Sequence, residues 1–371
     1  MLNDMHFNRK EIIDFAQASL SEKPCHITDE ASPLSPGTKH EFYSNGDYWW
    51  PNPDTSNGLP YVRRDGLSNP ENFNAHRLLL RKMRTNISNL SAGYLVTRDE
   101  AYAELAVKML YEFFIAEDTR MEPHLEYAQA IPGVCNGRGI GIIDTLHLTE
   151  IPFAIKALKD SKHMTNEVMQ GLKTWFSRYL EWMNESKNGI TERDEPNNHS
   201  VCWHVQALSF AGFVGNKKII DECVERYKKI ILPNQMREDG AFPDELGRTK
   251  PYSYSIFVLD NIINLVHLGT LYGNEDLWEY TADGGRSAKR GLDFLYPYLA
   301  DKSSWFLPPD VEYFDVWPVK ESFMLLAAIK YNDEKFLKLY DSLPHAPNVE
   351  EIHRNITVKM PILLVQQFGK T

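Results

Sequence analysis

The sequence predicts an all-α protein, an α/α toroid (an incomplete α/α barrel) in which helical hairpins carry long loops that line a central groove. Two observations lead there. From Asn72 almost to the end, apolar residues recur at helical spacing, the pattern of helices that bury one face. Short polar breaks recur as well, at Thr97-Arg98-Asp99, Ser161-Lys162-His163, Gly215-Asn216-Lys217, Gly273-Asn274-Glu275 and Asn332-Asp333-Glu334. Counted between Arg98, Lys162, Gly215, Asn274 and Asn332, the intervals are 64, 53, 59 and 58 residues, which reads as a hairpin repeat without sequence identity. Variable loops such as Met121 to Gly141 and Glu238 to Pro251 separate the repeats. That fits a toroid, with short turns at one rim and long loops at the other, better than a thin solenoid with tight loops on both sides. A single catalytic domain over residues 1–371 is expected, with residues 1–71 packed on the helical repeats of residues 72–371.

Taken in order, Ile12 to Leu20 reads as a short amphipathic helix and Pro24 to Lys39 as a Pro/Ser-rich extended segment. Tyr43 to Gly66 follows, with Tyr48-Trp49-Trp50-Pro51-Asn52-Pro53 at its centre. So many Pro, Gly and Asn residues forbid a regular helix, so an ordered, aromatic-rich loop is expected. Aromatic faces beside Asn, Asp and Arg suit sugar rings, whose C–H faces stack while their hydroxyls need polar partners. A purely structural use, with Trp49 or Trp50 plugging the loop onto the core, is the competing reading. The last segment, Thr357 to Phe368, is apolar and β-branched and reads as a closing helix or a strand.

Composition narrows the partners. The chain is 43% hydrophobic and 25% charged, a globular balance, and no apolar run is read as long enough to span a membrane. A formal charge of −11 argues against nucleic-acid binding and repels a polyanion at long range, so any polyanion site must be a local basic patch. The series Arg77, Arg81, Lys82, Arg84 and the pair Arg63-Arg64 read as solvated surface rather than such a patch. Cys25, Cys135, Cys202 and Cys223 are scattered; without paired spacing they read as free, mostly buried thiols.

Three segments carry candidate chemistry. Pro196-Asn197-Asn198-His199 stands where an acidic loop gives way to an apolar helical run. One Asn there is explained as the helix N-cap; the second amide and His199 are left at a positively polarised helix end, where a carboxylate is favoured. Glu126 to Gly141 holds Gln129 and Arg138 in a glycine-rich loop that lacks the strand and spacing of a dinucleotide site. Asp244 to Tyr254 sets Arg248 and Lys250 beside Tyr252 and Tyr254.

These motifs, with Tyr48-Trp49-Trp50-Pro51 and Gly58-Leu59-Pro60-Tyr61-Val62-Arg63-Arg64-Asp65-Gly66, resemble in type and order those of the alginate-lyase-like polysaccharide lyases, a family of alginate and glucuronan lyases. The resemblance implies an α/α toroid whose groove binds a uronic-acid polymer, with catalytic roles for Asn198, His199, Arg248 and a tyrosine. It also implies a periplasmic or secreted location if a leader has been removed. The polar start from Met1 to Arg9 shows no signal peptide, and a cytoplasmic location is expected if Met1 is the native start. The tyrosine after Arg248 sits one residue closer than in alginate lyases, at Tyr254, and Tyr252 is an additional candidate.

The residue types suit the reaction. β-Elimination from a 4-linked uronate removes the C5 proton, which requires neutralisation of the adjacent carboxylate. Asn198, His199 and Arg248 offer amide, imidazole and guanidinium donors. A tyrosine acts as base when a cation stabilises its phenolate, and Arg248 or Lys250 is placed to do so. The same phenol can protonate the leaving oxygen. Tyr254 is the expected proton carrier, because it lies directly before a helical run that anchors it. Tyr48, Trp49, Trp50, Gln129, Arg138, Lys250 and Tyr252 are the expected substrate contacts. No metal or other cofactor is expected, and the protein is expected to act as a monomer on an anionic polysaccharide. Two rivals remain: a glycoside hydrolase drawing two carboxylates from Glu126, Asp194, Glu195, Asp244, Glu245, Asp310 and Glu312, and a non-catalytic uronate-binding repeat protein.

Overall fold

A computed structural model describes residues 7–365. Helix α1 (Arg9–Ser19) precedes three short strands in the aromatic-rich loop, β1 (Tyr43–Asn45), β2 (Trp49–Trp50) and β3 (Val62–Arg63). The long helix α2 (Ala75–Thr97) and α3 (Glu100–Phe114) form the first hairpin. Strand β4 (Tyr127–Ala130) and a 3-10 helix (Gly139–Glu150) then lead into α4 (Ile151–Ala157) and α5 (Asn166–Glu185). After α6 (Lys187–Arg193) come α7 (Asn198–Val214) and α8 (Lys217–Arg226), then the short α9 (Leu232–Gln235) and α10 (Pro243–Leu246). Helices α11 (Pro251–Tyr272) and α12 (Ala288–Ala300), α13 (Ser322–Tyr331) and α14 (Glu334–Ser342) complete the hairpins, followed by α15 (Glu350–Arg354) and α16 (Ile362–Val365). Of the carboxy-terminal segment from Thr357 to Phe368, only Ile362–Val365 is helical; residues 357–361 are irregular and 366–368 lie outside the described residues.

Each polar break falls between two helices for a local reason. Arg98 and Asn332 adopt left-handed backbone conformations, with φ of 63° and 49°, and Gly215 ends α7 with φ 81°, each in the left-handed conformation that commonly terminates a helix. Asp99, Thr165, Asn216 and Asp333 then cap the helices that follow. The break at Gly273 opens a longer connection, because α12 starts only at Ala288.

The chain forms two compact units. In the first, which among the described residues takes in 7–61, 70–190 and 358–365, α2 is the central element and packs on α1, α3 and α4. Its basic series departs from the solvated surface expected of it: Arg77, Arg81 and Arg84 are buried. Arg77 pairs with Asp47 and lies 3.5 Å from Asp144, and Arg84 donates to Glu150 at 3.1 Å. Strand β1 runs parallel to β4, with Tyr43 opposite Tyr127 and Asn45 opposite Ala130.

In the second unit, residues 62–69 and 191–357, α7 and α11 pack against each other and are apolar and buried almost all round, as interior helices are. Helix α11 is 22 residues long and apolar enough to cross a membrane by length and composition, contrary to the expectation from the sequence, and 83% of its most apolar window is buried inside the protein. Buried carboxylates fasten several segment starts. Glu245 accepts the Asn198 N–H that opens α7 at 2.9 Å, and Asp310 accepts the Tyr252 and Ser253 N–H groups of α11 at 2.8 and 2.9 Å. In the first unit Glu150 likewise accepts from Lys359 and Met360 at 3.1 and 2.6 Å. Glu245 and Asp310 satisfy amide donors that a helix start leaves without an intrahelical partner, at the end where negative charge is favoured, whereas Glu150 satisfies those of an irregular stretch before α16.

Candidate active site

The second unit holds the four expected catalytic residues, Asn198 and His199 at the start of α7, Arg248 just before α11 and Tyr254 in its first turn. Asn197 is the N-cap of α7, its Oδ1 accepting the His199 N–H at 3.2 Å. The first helical residue, Asn198, is buried and faces Glu245 of α10: its Nδ2 lies 2.8 and 2.9 Å from the two carboxylate oxygens. Glu245 is 1% exposed. Burial raises its pKa, against the opposing pull of the Asn198 donors and the positive charges of Arg248 and His199. The amide expected to donate to substrate is therefore engaged by an internal carboxylate.

His199 follows on the half-exposed side of the helix start, its side chain 17% exposed. Its Nδ1 lies 2.8 Å from Oε1 of Glu192, a carboxylate with no exposure to solvent. Burial lowers the pKa of the ring, but Glu192, Glu245 and Glu195 outweigh it and raise the pKa above the ordinary histidine value. Opposite charge within a few ångströms favours the imidazolium.

Arg248 leads from α10 towards α11. Its Nε and Nη2 donate to Asp65 at 3.2 and 2.9 Å, and Nη2 also donates to Tyr254 Oη at 3.1 Å. The guanidinium carbon is 4.3 Å from the centre of the same phenol ring, within cation–π range. Asp65 also accepts from Arg63 at 2.6 Å and from Thr249 Oγ1 at 3.0 Å. Burial opposes its ionisation, yet Arg248, Arg63 and Thr249 bring its pKa down to about 2. Gly66, at φ +78°, makes this approach possible: a Cβ there would stand 2.3 Å from Thr249 Oγ1.

A second cluster lies in the first unit. Tyr48, Trp49 and Trp50 are half-buried, and Asn72 holds their loop by donating to the carbonyls of Gly46 and Trp49 at 2.8 and 3.2 Å. Arg138 sits with its guanidinium carbon 5.7 Å from the centre of the Trp49 ring. Its Nε and Nη2 donate to the Gln129 carbonyl and side-chain oxygen at 2.9 and 3.1 Å. Gln129 in turn donates through Nε2 to the buried Asp144 at 3.1 Å. At Gly46 a Cβ would lie 2.7 Å from both Arg138 Nη2 and the Trp49 ring, so only glycine admits this stacking.

The alginate lyase family model matches residues 26–305. An alginate lyase from Bacteroides ovatus, of known crystal structure, is 30% identical to the chain, with 96% of this chain and 92% of that one covered and a TM-score of 0.83.

The chain belongs to the alginate lyase family.

It is a polysaccharide lyase with the all-α toroid fold class of these enzymes. Alginate lyase A1-III from Sphingomonas species A1 shares the fold at 15% identity, with 95% of each chain covered and a TM-score of 0.59. A variant of that enzyme with a histidine replaced by alanine, complexed with a tetrasaccharide, matches at 15% identity over 95% of each chain with a TM-score of 0.60. No curated protein matches the sequence.

Within this lyase, several expected substrate contacts turn out to be internal. Tyr252 has no solvent exposure. It lies in the first turn of α11, donates to the Tyr298 carbonyl at 2.9 Å, and packs edge-on to Trp305 and Phe314. It is a core residue rather than a subsite tyrosine on a mobile loop. Lys250, 2% exposed, pairs with Glu312 at 3.0 Å and with Glu351; it holds the loop and leaves Arg248 as the cation beside Tyr254. Gln129 is buried and spent on Asp144 and Arg138, so it orients Arg138 instead of reaching a sugar. Of the carboxylates considered for a hydrolase, Glu245 and Asp310 are buried fasteners of helix starts, while Glu126, Asp194 and Asp244 are exposed.

Sequence reasoning missed Glu192 and Asp65 as partners of His199 and Arg248. The seven-residue spacing from Glu192 to His199 was visible, but no regular helix spans both residues, so no periodicity linked them. Asp65 is 183 residues from Arg248, beyond the reach of any local signal. His204, by contrast, is a core histidine: it is buried, its Nε2 accepts from Arg226 at 3.1 Å, and burial lowers its pKa to about 3.

Proposed function

We propose that this lyase cleaves a 4-linked polyuronate, with mannuronate-containing alginate preferred, by β-elimination centred on Tyr254. The observation that carries the reading is the hydrogen bond from Arg248 Nη2 to Tyr254 Oη at 3.1 Å. A guanidinium donating to a phenol oxygen stabilises the phenolate, the form in which tyrosine is a base. His199, biased towards imidazolium by its carboxylate neighbours, supplies the positive charge that the uronate carboxylate needs as the C5 proton leaves.

The sequence of bonds is then set. Tyr254 phenolate takes the C5 proton, and the electrons of that C–H bond form the C4–C5 double bond as the C4–O bond breaks. The phenol returns its proton to the departing oxygen, which regenerates the phenolate and leaves one fragment with an unsaturated, non-reducing uronide. Asp65 keeps Arg248 aimed at the phenol, and Asn198 with Glu245 fixes the helix start that presents His199. Tyr48, Trp49, Trp50 and Arg138 supply sugar contacts; a tetrasaccharide bound to an enzyme of this fold supports an oligosaccharide occupant. No metal is assigned a step, and the working unit is taken as a monomer. Glucuronan is the alternative substrate, since the same donors would serve a 4-linked glucuronate.

Incubation with alginate, glucuronan and hyaluronan, followed by ultraviolet absorbance of the unsaturated uronide, tests the reading. Absorbance should grow first with mannuronate-rich alginate. Products with saturated ends would mean hydrolysis, and no cleavage of any of the three would leave the binding reading in its place.

A further inference from the structure

The Glu192 carboxylate is an unusual object at a polyanion site. It has no solvent exposure, it lies at the end of a short helix seven residues before His199, and it is 2.8 Å from Nδ1 of that ring. A buried carboxylate is costly unless hydrogen-bonded or paired. Placed inside a site that must receive a carboxylate, it also repels the ligand unless the positive charge it supports faces outward.

We propose that Glu192 is a positioning residue for the lyase reaction: by accepting the Nδ1 proton of His199 it fixes the orientation of the ring and supports its imidazolium form, whose Nε2–H meets the uronate carboxylate. The role rests on the lyase reading above. In neutral His199 the proton stays on Nδ1, where Glu192 accepts it, so Nε2 is bare and offers the substrate no donor. The donor exists only in the imidazolium. Glu192 therefore does two things through one contact, turning the ring and extending the pH range over which Nε2 keeps its proton. The other charged groups acting on the ring are Glu245 of α10 and Glu195 of the loop before α7. Both favour the cation from a distance, whereas Glu192 touches a ring nitrogen.

The sign of the pH effect follows. A histidine raised by its folded environment holds its proton below its ordinary value near 6.5 and loses it as pH rises through the raised value. Removing the Glu192 charge lowers that upper limit. E192Q keeps an oxygen for the Nδ1–H and removes only the charge, whereas E192D keeps the charge on a shorter arm.

The test combines nitrogen-resolved NMR titration of 15N-histidine-labelled wild type, E192Q and E192D with kcat and KM on mannuronate-rich alginate across pH. The His199 resonance is assigned by its disappearance in H199Q. The expected result is a lower His199 pKa in E192Q, with the alkaline fall in kcat moved down by the same interval and E192D closer to wild type. Each tenfold loss of proton affinity at the ring makes E192Q about tenfold slower than wild type above both pKa values. Lowering the pH restores the ratio, which a packing defect would not do. An unchanged His199 pKa in E192Q, or an activity ratio that does not vary with pH, overturns the proposal. So does a wild-type His199 that titrates below 6.5, a result that needs no variant. Because NMR reads the Glu192–His199 coupling without turnover, failure of the lyase reading, seen as no unsaturated product from wild type, is distinguishable from failure of this role.

Discussion

Arg248 Nη2 donates to Tyr254 Oη at 3.1 Å while its guanidinium carbon lies 4.3 Å from the centre of that ring. The cation therefore touches both the oxygen that would carry the proton and the π face behind it. Tyr254→Phe keeps the face and removes the oxygen. The expected outcome is a fall in kcat of about a hundred- to ten-thousandfold with polymer affinity nearly unchanged. Steady-state kinetics and a separate binding measurement on the catalytically silent variant decide it; retained turnover would remove Tyr254 from the mechanism.

Tyr252→Phe should give the opposite pattern. The lost hydrogen bond to the Tyr298 carbonyl costs about 1 kcal/mol of stability, seen as a modest drop in Tm, with kcat and KM close to wild type. Tyr252→Ala, which empties a packed site against Trp305 and Phe314, should cost about 3–5 kcal/mol. A large rise in KM for the Phe variant at unchanged Tm would return Tyr252 to the substrate.

Asp65→Asn should reduce turnover while leaving the chain folded at neutral pH, because it loosens the guanidinium that serves Tyr254. Asp65 has a depressed pKa of about 2, so its contribution to stability is present above the ordinary carboxylate value of 3.8 and is lost as pH falls through about 2. The variant and wild type should thus converge in Tm at the acid end. A constant difference at every pH would show that the charge of Asp65 is not what holds Arg248.

Asn197 and Asn198 separate capping from site architecture. Asn197→Ala removes the cap of α7 and should cost about 1 kcal/mol with turnover retained. Asn198→Ala leaves the buried Glu245 carboxylate without its side-chain donor, should cost about 1–3 kcal/mol, and should lower kcat by disturbing the start of α7. Melting curves and kcat for the two variants, measured side by side, check the contrast; equal effects would mean that both residues act only as caps.

Activity on alginate should survive exhaustive chelation and should not rise on adding back calcium, magnesium or zinc. The proposed mechanism places carboxylate neutralisation on His199 and phenolate stabilisation on Arg248, so a metal has no step to fill. Loss of turnover with chelator, restored by one of these ions, would require a different account of how the uronate is neutralised.

What the sequence determined by itself is what repeats over one helical turn or closes within a few residues. The apolar period defined the hairpins, and residues suited to caps, Asp99, Asn216 and Asp333, marked where they begin. The same local signals put one of Asn197 and Asn198 at a helix start, with the structure choosing Asn197, and the aromatic run from Tyr48 to Trp50 in an irregular loop. Sequence position favoured Tyr254 as the proton carrier, but it did not show that Tyr252 is a core residue; only the packing of α11 buries it. The partners of the charged groups were not readable either. Glu245 lies 47 residues from Asn198 and Asp65 lies 183 residues from Arg248, and Arg77 and Arg84 sit on a face that looked solvated until Asp47 and Glu150 met it. Hydrophobic period records which side of a helix is buried; it carries no record of what another part of the chain brings to that side. Those pairings were decided by the tertiary structure, where burying a charge is costly unless a distant residue arrives to match it.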